Sequence, residues 1–103
     1  MKMTVKERYL LPRLFPTKGN LDTQLAIRDI RKKIKIDEKE AEEIELKKIN
    51  NRLQWNTKKA KEKEIKFSSL ELKVLKDSVN ELDKKKEITP DLVDLCLKIK
   101  EGK

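Results

Sequence analysis

The side chains that could do chemistry in this sequence are carboxylates, lysines, arginines and one cysteine, because the chain contains no histidine. The absence of histidine excludes the commonest general base and most zinc sites. Cys96 therefore has no histidine to activate it. It lies at helical spacing among Leu92, Leu95 and Ile99, which predicts a buried core thiol. These residues indicate a protein that is not an enzyme and that has no cofactor or small-molecule substrate.

A dense group of carboxylates is the next candidate site. It consists of Glu38, Glu40, Glu42, Glu43 and Glu45. Such a group could bind a divalent cation or form a solvated helix surface. The interleaved lysines favour the solvated surface, because a metal site needs several oxygens that converge on one point. Gly19 and Gly102 are the only glycines, so the chain also lacks a glycine-rich phosphate-binding loop. We predict no metal site.

Four basic side chains recur at spacing i, i+3, i+4 and i+7 and should share one side of a helix: Arg28, Arg31, Lys32 and Lys35. Such a stripe could lie along phosphates, where each neutralised phosphate adds salt-dependent affinity. It could equally be a solubilising surface. Asp29 interrupts the run and no aromatic residue accompanies it for base stacking, which favours the solubilising role.

A second basic group lies in a polar connection and contains Lys58, Lys59 and Lys61. An exposed loop of this kind could follow a phosphate backbone or an acidic protein surface, or it could simply be solvated. The whole chain has a net charge of +8 and a pI of about 9.6, so polyanions are candidate partners. Most of the 27 basic residues are lysine, however, and arginine is the better reader of phosphates and bases. Charge alone is thus a weak indication of nucleic-acid binding.

The elements that must position these residues are mainly helices. Cap residues predict helix starts near Val5 after Thr4, after Asn20 or Asp22, after Asp37, after Ser68 or Ser69, and after Thr89-Pro90. The apolar side of the second helix should comprise Ile27, Ile30, Ile34, Leu21 and Leu25. That of the fourth should comprise Leu70, Leu72, Val74, Leu75, Val79 and Leu82. We find no internal repeat and no linker that would divide the chain.

One part of the chain instead alternates apolar and polar residues, as strands do. Leu53 and Trp55 alternate within Arg52–Asn56, and Ile65 and Phe67 alternate within Glu64–Phe67. We predict that these two segments pair as an antiparallel hairpin. Trp55 should then be a core anchor beneath the helices, with a surface role as the alternative.

The segment before this alternation is ambiguous. Residues 45–49 could continue the third helix or form a short strand, and we favour the strand. In that case Asn50-Asn51 would form a tight turn, because asparagine tolerates positive φ.

The chain resembles a family of short phage and prophage proteins of unknown function. The similarity lies in Met3-Thr4-Val5-Lys6-Glu7-Arg8, in Leu11-Pro12 and Phe15-Pro16 before Gly19-Asn20, in the isoleucine-rich helix, in Gln54-Trp55-Asn56 and Lys63-Glu64-Ile65, and in the closing pair of helices. These are capping and core residues, so the resemblance transfers no catalytic or binding residue. It implies a phage context, in which small proteins serve as virion accessory parts or bind a host factor.

These observations together predict one domain over residues 1–103, mainly α with a small antiparallel β-hairpin, an α+β fold. The function they favour is a non-enzymatic interaction protein of phage type that binds a protein partner or copies of itself. The alternative is a nucleic-acid-binding protein that uses the basic helix face. No segment has the length and apolarity of a membrane span, so we expect no membrane partner. The expected location is the cytoplasm of the host cell or the virion.

Overall fold

Helices account for most of the fold. The computed structural model describes residues 1–101. Its α-helices are α1 (Val5–Leu10), α2 (Leu21–Ile34), α3 (Glu38–Glu43), α4 (Ser69–Lys84) and α5 (Val93–Glu101), with 3₁₀ turns at Leu11–Leu14 and Pro90–Leu92. Its strands are β1 (Lys2–Met3), β2 (Lys47–Ile49), β3 (Arg52–Gln54) and β4 (Lys63–Glu64). The chain forms a single compact α+β domain that is 57% helical, which confirms the predicted fold class. Within residues 1–101, no helix combines the length and apolarity needed to cross a bilayer.

Four helices begin at the cap residues predicted from the sequence. Thr4 and Ser68 each accept a hydrogen bond from the N–H three residues on, and the glutamate at that position accepts one from the cap N–H. Asn20 and Asp37 accept from the N–H three residues on, in both cases at 2.8 Å. Thr89 differs, because its hydroxyl donates to a carboxylate two residues on and makes no cap hydrogen bond to the backbone.

The core lies between α2, α4 and α5, and the first 3₁₀ turn packs against α4. Ile27, Ile30 and Ile34 of α2 are buried as predicted. From α4 and α5 the core takes Val74, Leu75, Val79, Leu95, Cys96 and Ile99. The sequence-predicted thiol is therefore a core residue. Burial raises the pKa of Cys96, an effect that nearby Lys100 opposes and Asp83 reinforces, so the thiol stays protonated and unreactive.

The prediction was wrong for three leucines that it assigned to the buried apolar sides of α2 and α4. Leu21 is 74% exposed, and Leu25 and Leu70 are also exposed. At 3.6 residues per turn, Leu21 and Leu25 point away from Ile30, and Leu70 lies well to one side of Leu75. The correct helical period therefore leaves these leucines on the surface.

The strands pair differently from the prediction. β2 pairs with β3 in an antiparallel hairpin with Lys48 opposite Leu53. Asn50 and Asn51 form its turn with φ values of 51° and 65°, which confirms the predicted turn and the strand within residues 45–49.

The predicted pairing of Glu64–Phe67 with Arg52–Asn56 is wrong. β4 pairs instead with β1, Lys2 opposite Glu64. This pairing places Met3 and Ile65 in the core, where both are buried. Alternation identifies the residues that share a face of a strand, but it does not identify the partner strand.

A lysine from a distant helix ties the start of α1 to the core. Lys98 Nζ of α5 donates to Glu7, the glutamate of the first capping box, at 2.7 Å. The same ammonium donates to the backbone carbonyl of Lys2 at 2.8 Å. The Lys98 ammonium thereby holds the junction between β1 and α1 to α5, because it binds one acceptor before the N-cap residue and one after it.

The start of α4 repeats this arrangement. Lys33 Nζ of α2 donates to Glu71 at 2.5 Å and to the carbonyl of Lys66 at 3.0 Å. Both junctions carry the pattern Lys-X-(Thr/Ser)-X-X-Glu, at residues 2–7 and 66–71. The pattern is too short to be recognised as a repeat from the sequence, and the lysine that completes it comes from elsewhere in the chain.

Glu7→Gln should weaken the junction between β1 and α1 and make the free energy of unfolding depend less on pH in the acid range. Burial raises the pKa of Glu7, but the hydrogen bonds and charge of Lys98 and the Thr4 N–H outweigh burial and hold it below the ordinary 4.5. A carboxylate with a lowered folded-state pKa stabilises the fold above its unfolded-state pKa, and this contribution is lost as the pH falls through the folded-state value. The variant should thus be less stable than wild type at neutral pH, and the difference should shrink as the pH falls below 4.5.

Urea unfolding at a series of pH values measures this difference. Glu81→Gln is the matched control, because Glu81 is exposed and its salt bridge to Lys85 spans 3.7 Å on the surface of one helix. A Glu7→Gln destabilisation that stayed constant from neutral to acid pH would contradict the prediction.

Candidate functional site

The surface carries an open apolar groove of about 930 Å³ between α1, the end of α2 and the β2–β3 hairpin. Its apolar lining consists of Tyr9, Pro12, Ile34, Ile36, Leu46 and Leu53. Tyr9 is 52% exposed, so a large aromatic ring stands at the surface of the groove. Tyrosine is a frequent hot-spot residue of protein interfaces, because it combines a large apolar area with a hydroxyl.

The β2–β3 hairpin forms one wall of this groove. The register of the hairpin and the alternation of strand side chains place Leu46, Lys48, Leu53 and Trp55 on one side. Leu46, Leu53 and Trp55 are only partly buried, and every residue of β2 is exposed. The apolar side of the hairpin is therefore not closed by the protein's own core.

Trp55 does not anchor the core as predicted. It is half-buried on the same side of the hairpin as Leu46 and Leu53, but it does not itself line the groove and is not among the buried residues of the core cluster. The reason is the changed strand pairing, because the core position assigned to β3 is filled by Met3 of β1 and by Ile65, the residue that follows β4.

Three basic side chains stand along the groove and form what we call the basic rim: Arg13, Arg31 and Lys35. The Arg31 guanidinium lies 5.2 Å from the centre of the Phe15 ring, a cation–π contact that orients it. Arg13 donates to Asp91 at 3.0 Å in a pair whose two side chains are both exposed. Among residues 1–101, no aspartate or glutamate lines the groove. Its local charge is therefore positive.

Beneath the basic rim, the buried side chain of Arg8 connects the helices that form the groove. Its side chain is fully buried and forms a bidentate ion pair with Glu40 of α3. Its Nε donates to the carbonyl of Ile34 at 3.1 Å, and its Nη2 to the carbonyl of Lys35 at 2.9 Å. These carbonyls lie at the C-terminal end of α2, where backbone carbonyls have no hydrogen-bond donor within the helix. Arg8 thus fixes α1, α2 and α3 relative to each other and sets the position of Lys35 on the rim.

The structure divides the predicted basic helix face. Arg28, Arg31, Lys32 and Lys35 are all exposed, and none of them makes a salt bridge within residues 1–101. Arg31 and Lys35 line the groove, whereas Arg28 and Lys32 do not. The helical period points Arg28 and Lys32 away from buried Ile30. The four residues therefore serve two different surfaces.

The second predicted basic group lies elsewhere. Residues 56–60 form a tight turn, closed by a hydrogen bond from the Ala60 N–H to the Asn56 carbonyl at 3.0 Å. Lys59 is paired with Glu45 at 3.1 Å, and Lys58 is exposed. Lys59 and Lys61 line a separate depression that also contains Asp37, Glu40, Glu43, Glu62 and Lys63. Mixed charge there makes this group a poor polyanion site.

The structure also shows what the cluster of glutamates within residues 38–45 does. Within the described part of the chain, no cluster of histidine, cysteine, aspartate or glutamate could hold a metal ion. Glu40 is bound to Arg8, and Glu45 accepts hydrogen bonds from Asn56 and Lys59 that lower its pKa. Only part of the group is the solvated surface that the sequence predicts.

Sequence reasoning missed the groove itself, although one signal was present. A two-residue turn at Asn50-Asn51 places residue 49 opposite 52 and therefore puts Leu46, Leu53 and Trp55 on one side. Tyr9 and Pro12 gave no comparable signal, because their position depends on the packing of α1 against α2 and α3. The chain matches no protein-family model, no curated protein and no solved structure.

Proposed function

We propose that this chain is a non-enzymatic interaction protein of phage type that docks a protein partner in the groove. It would act as a virion accessory part or as a binder of a host protein, in the virion or in the cytoplasm of the host cell. The phage context comes from the sequence resemblance. The observation that carries the docking role is the partly exposed apolar side of the β2–β3 hairpin, which faces the groove.

The energetics of the hairpin support this proposal. An isolated two-stranded hairpin is marginally stable in water, and it normally needs further strands or a helix packed against its apolar side. A partner segment in the groove would cover Leu46 and Leu53 and remove Tyr9 from water. Each 100 Å² of apolar surface buried in this way contributes about 2.5 kcal/mol before the costs of association.

Site-specific photo-crosslinking tests the docking role. A photo-reactive amino acid at position 9 should crosslink to one discrete protein in lysate of the cells that produce this chain. The same amino acid at position 97 is the control, because Leu97 is as exposed as Tyr9, at 52%, and lines a different depression. Crosslinks to a second copy of the chain would indicate self-association. Identical patterns from the two positions, or no crosslink from either, would refute docking through the groove.

Nucleic-acid binding is the second candidate function. The observation in its favour is the exposed face formed by Arg28 and Lys32, which make no salt bridge within residues 1–101, on a chain of net charge +8. The double variant Arg28→Glu/Lys32→Glu should abolish oligonucleotide binding at low salt and leave the groove intact. The control is Lys73→Glu/Lys76→Glu, which makes the same charge change at two exposed lysines of α4. Equal binding by the two variants would rule out this face.

A further inference from the structure

We propose that the occupant of the groove is an acidic segment of another protein that inserts an apolar side chain between Tyr9 and the hairpin wall. This inference rests on the proposed docking function and specifies its partner. The groove volume of about 930 Å³ suits a short segment of chain rather than a whole domain.

The charge of the occupant follows from the basic rim. Arg31 and Lys35 make no salt bridge within residues 1–101, so their charges are available to a ligand. Arg13 is paired only with exposed Asp91, and such surface pairs exchange partners at little cost. A net charge of +8 would also steer an acidic partner toward the surface.

The apolar part of the occupant follows from the lining between the rim residues. Arg8 is not available to a ligand, because Glu40 and two backbone carbonyls occupy its donors. What remains between the rim charges is apolar: Tyr9, Pro12, Ile34, Ile36, Leu46 and Leu53. A purely charged ligand such as a phosphate backbone would leave this apolar lining exposed to water. An apolar anchor flanked by carboxylates satisfies both parts of the groove.

A second copy of this chain fits the groove less well. Two molecules of charge +8 repel each other. The chain's own acidic stretch, residues 37–45, is also partly engaged, because Glu40 pairs with Arg8 and Glu45 pairs with Lys59. The charge complementarity therefore favours a different, acidic protein.

Selection from a random 12-residue peptide library tests this inference. The library is selected on the wild-type chain and counter-selected on Leu53→Glu, which places a charge on the hairpin wall. Peptides that survive should combine aspartate or glutamate with leucine, isoleucine or phenylalanine. Trp55, the only tryptophan of the chain, lies beside the groove on the same side of the hairpin as Leu53, so binding of tryptophan-free peptides should change its fluorescence. Tyr9→Ala serves as a second blocking variant, and circular dichroism checks that both variants are folded.

The rim is then tested with synthesised peptides from the selection. Arg31→Glu/Lys35→Glu should weaken their binding by about tenfold or more, since each reversal replaces an attraction by a repulsion. Lys73→Glu/Lys76→Glu carries the same net charge and should bind as wild type does. Raising the salt concentration should weaken binding to wild type and have less effect on the Arg31→Glu/Lys35→Glu variant.

The outcomes separate this inference from the proposed function. Groove-dependent peptides that are neutral or basic would overturn the acidic partner and leave docking in place. A selection that yields no peptide sensitive to both Leu53→Glu and Tyr9→Ala would overturn both. An oligonucleotide that binds wild type, changes Trp55 fluorescence and is blocked by Leu53→Glu would also overturn the acidic protein segment, in favour of nucleic acid.

Discussion

Replacing Arg8 with methionine should destabilise the fold by about 3–5 kcal/mol, the loss expected when one member of a buried ion pair is removed. The Arg8 side chain is fully buried, and it holds Glu40 by a bidentate pair and the carbonyls of Ile34 and Lys35 by hydrogen bonds. Methionine fills a similar volume but donates no hydrogen bond. The variant would leave the partly buried Glu40 carboxylate and the two carbonyls at the C-terminal end of α2 without their partner. Urea unfolding followed by circular dichroism measures the loss.

Three further variants isolate the cause of this effect. Arg13→Met removes an exposed arginine paired with Asp91 and should change stability by no more than about 1 kcal/mol. Arg8→Lys keeps the charge but lacks the planar fork, so it should remain clearly destabilised. Arg8→Met/Glu40→Leu removes both charges and should recover part of the loss. An Arg8→Met variant as stable as Arg13→Met would show that the buried pair does not hold these helices together.

The sequence predicts the starts of the helices well because capping is a local interaction. Thr4 with Glu7, and Ser68 with Glu71, act across three residues, so the pattern is visible without any knowledge of the fold. The Asn50-Asn51 turn was predictable for the same reason. In each case the residues that determine the structure are neighbours in the chain.

Pairings between distant segments could not be predicted in this way. β1 and β4 contain two residues each and lie about 60 positions apart, so their alternation carries almost no information about the partner. Arg8 was equally hidden, because one buried arginine looks like any other charge in a chain that is 45% charged. Only the convergence of α1, α2 and α3 makes it different.

The candidate site depends both on local sequence patterns and on contacts between distant segments. The spacing of Arg28, Arg31, Lys32 and Lys35 predicted an exposed basic face, and all four side chains are exposed. The spacing did not predict that Arg31 and Lys35 would border an apolar groove, since its other wall comes from the hairpin. The function proposed for the chain therefore depends on tertiary contacts that the helical pattern alone does not contain.

Leu75→Ala should have the second largest effect, a loss of about 2–5 kcal/mol in the free energy of unfolding. Leu75 is 0% exposed and lies in the core between α2, α4 and α5. Its truncation removes apolar contacts and leaves a cavity that close-packed neighbours fill only in part. Both thermal and urea unfolding should report the change.

Leu70→Ala provides the matched control on the same helix. Leu70 is 49% exposed, so the same chemical change removes little buried surface and should cost less than about 1 kcal/mol. Alanine is also a slightly better helix former than leucine, which offsets part of that cost. The sequence pattern assigned both leucines to one apolar stripe and therefore predicts similar losses. A large difference between the two variants supports the orientation of α4 in the structure, whereas equal losses would mean that α4 is rotated about its axis relative to that orientation.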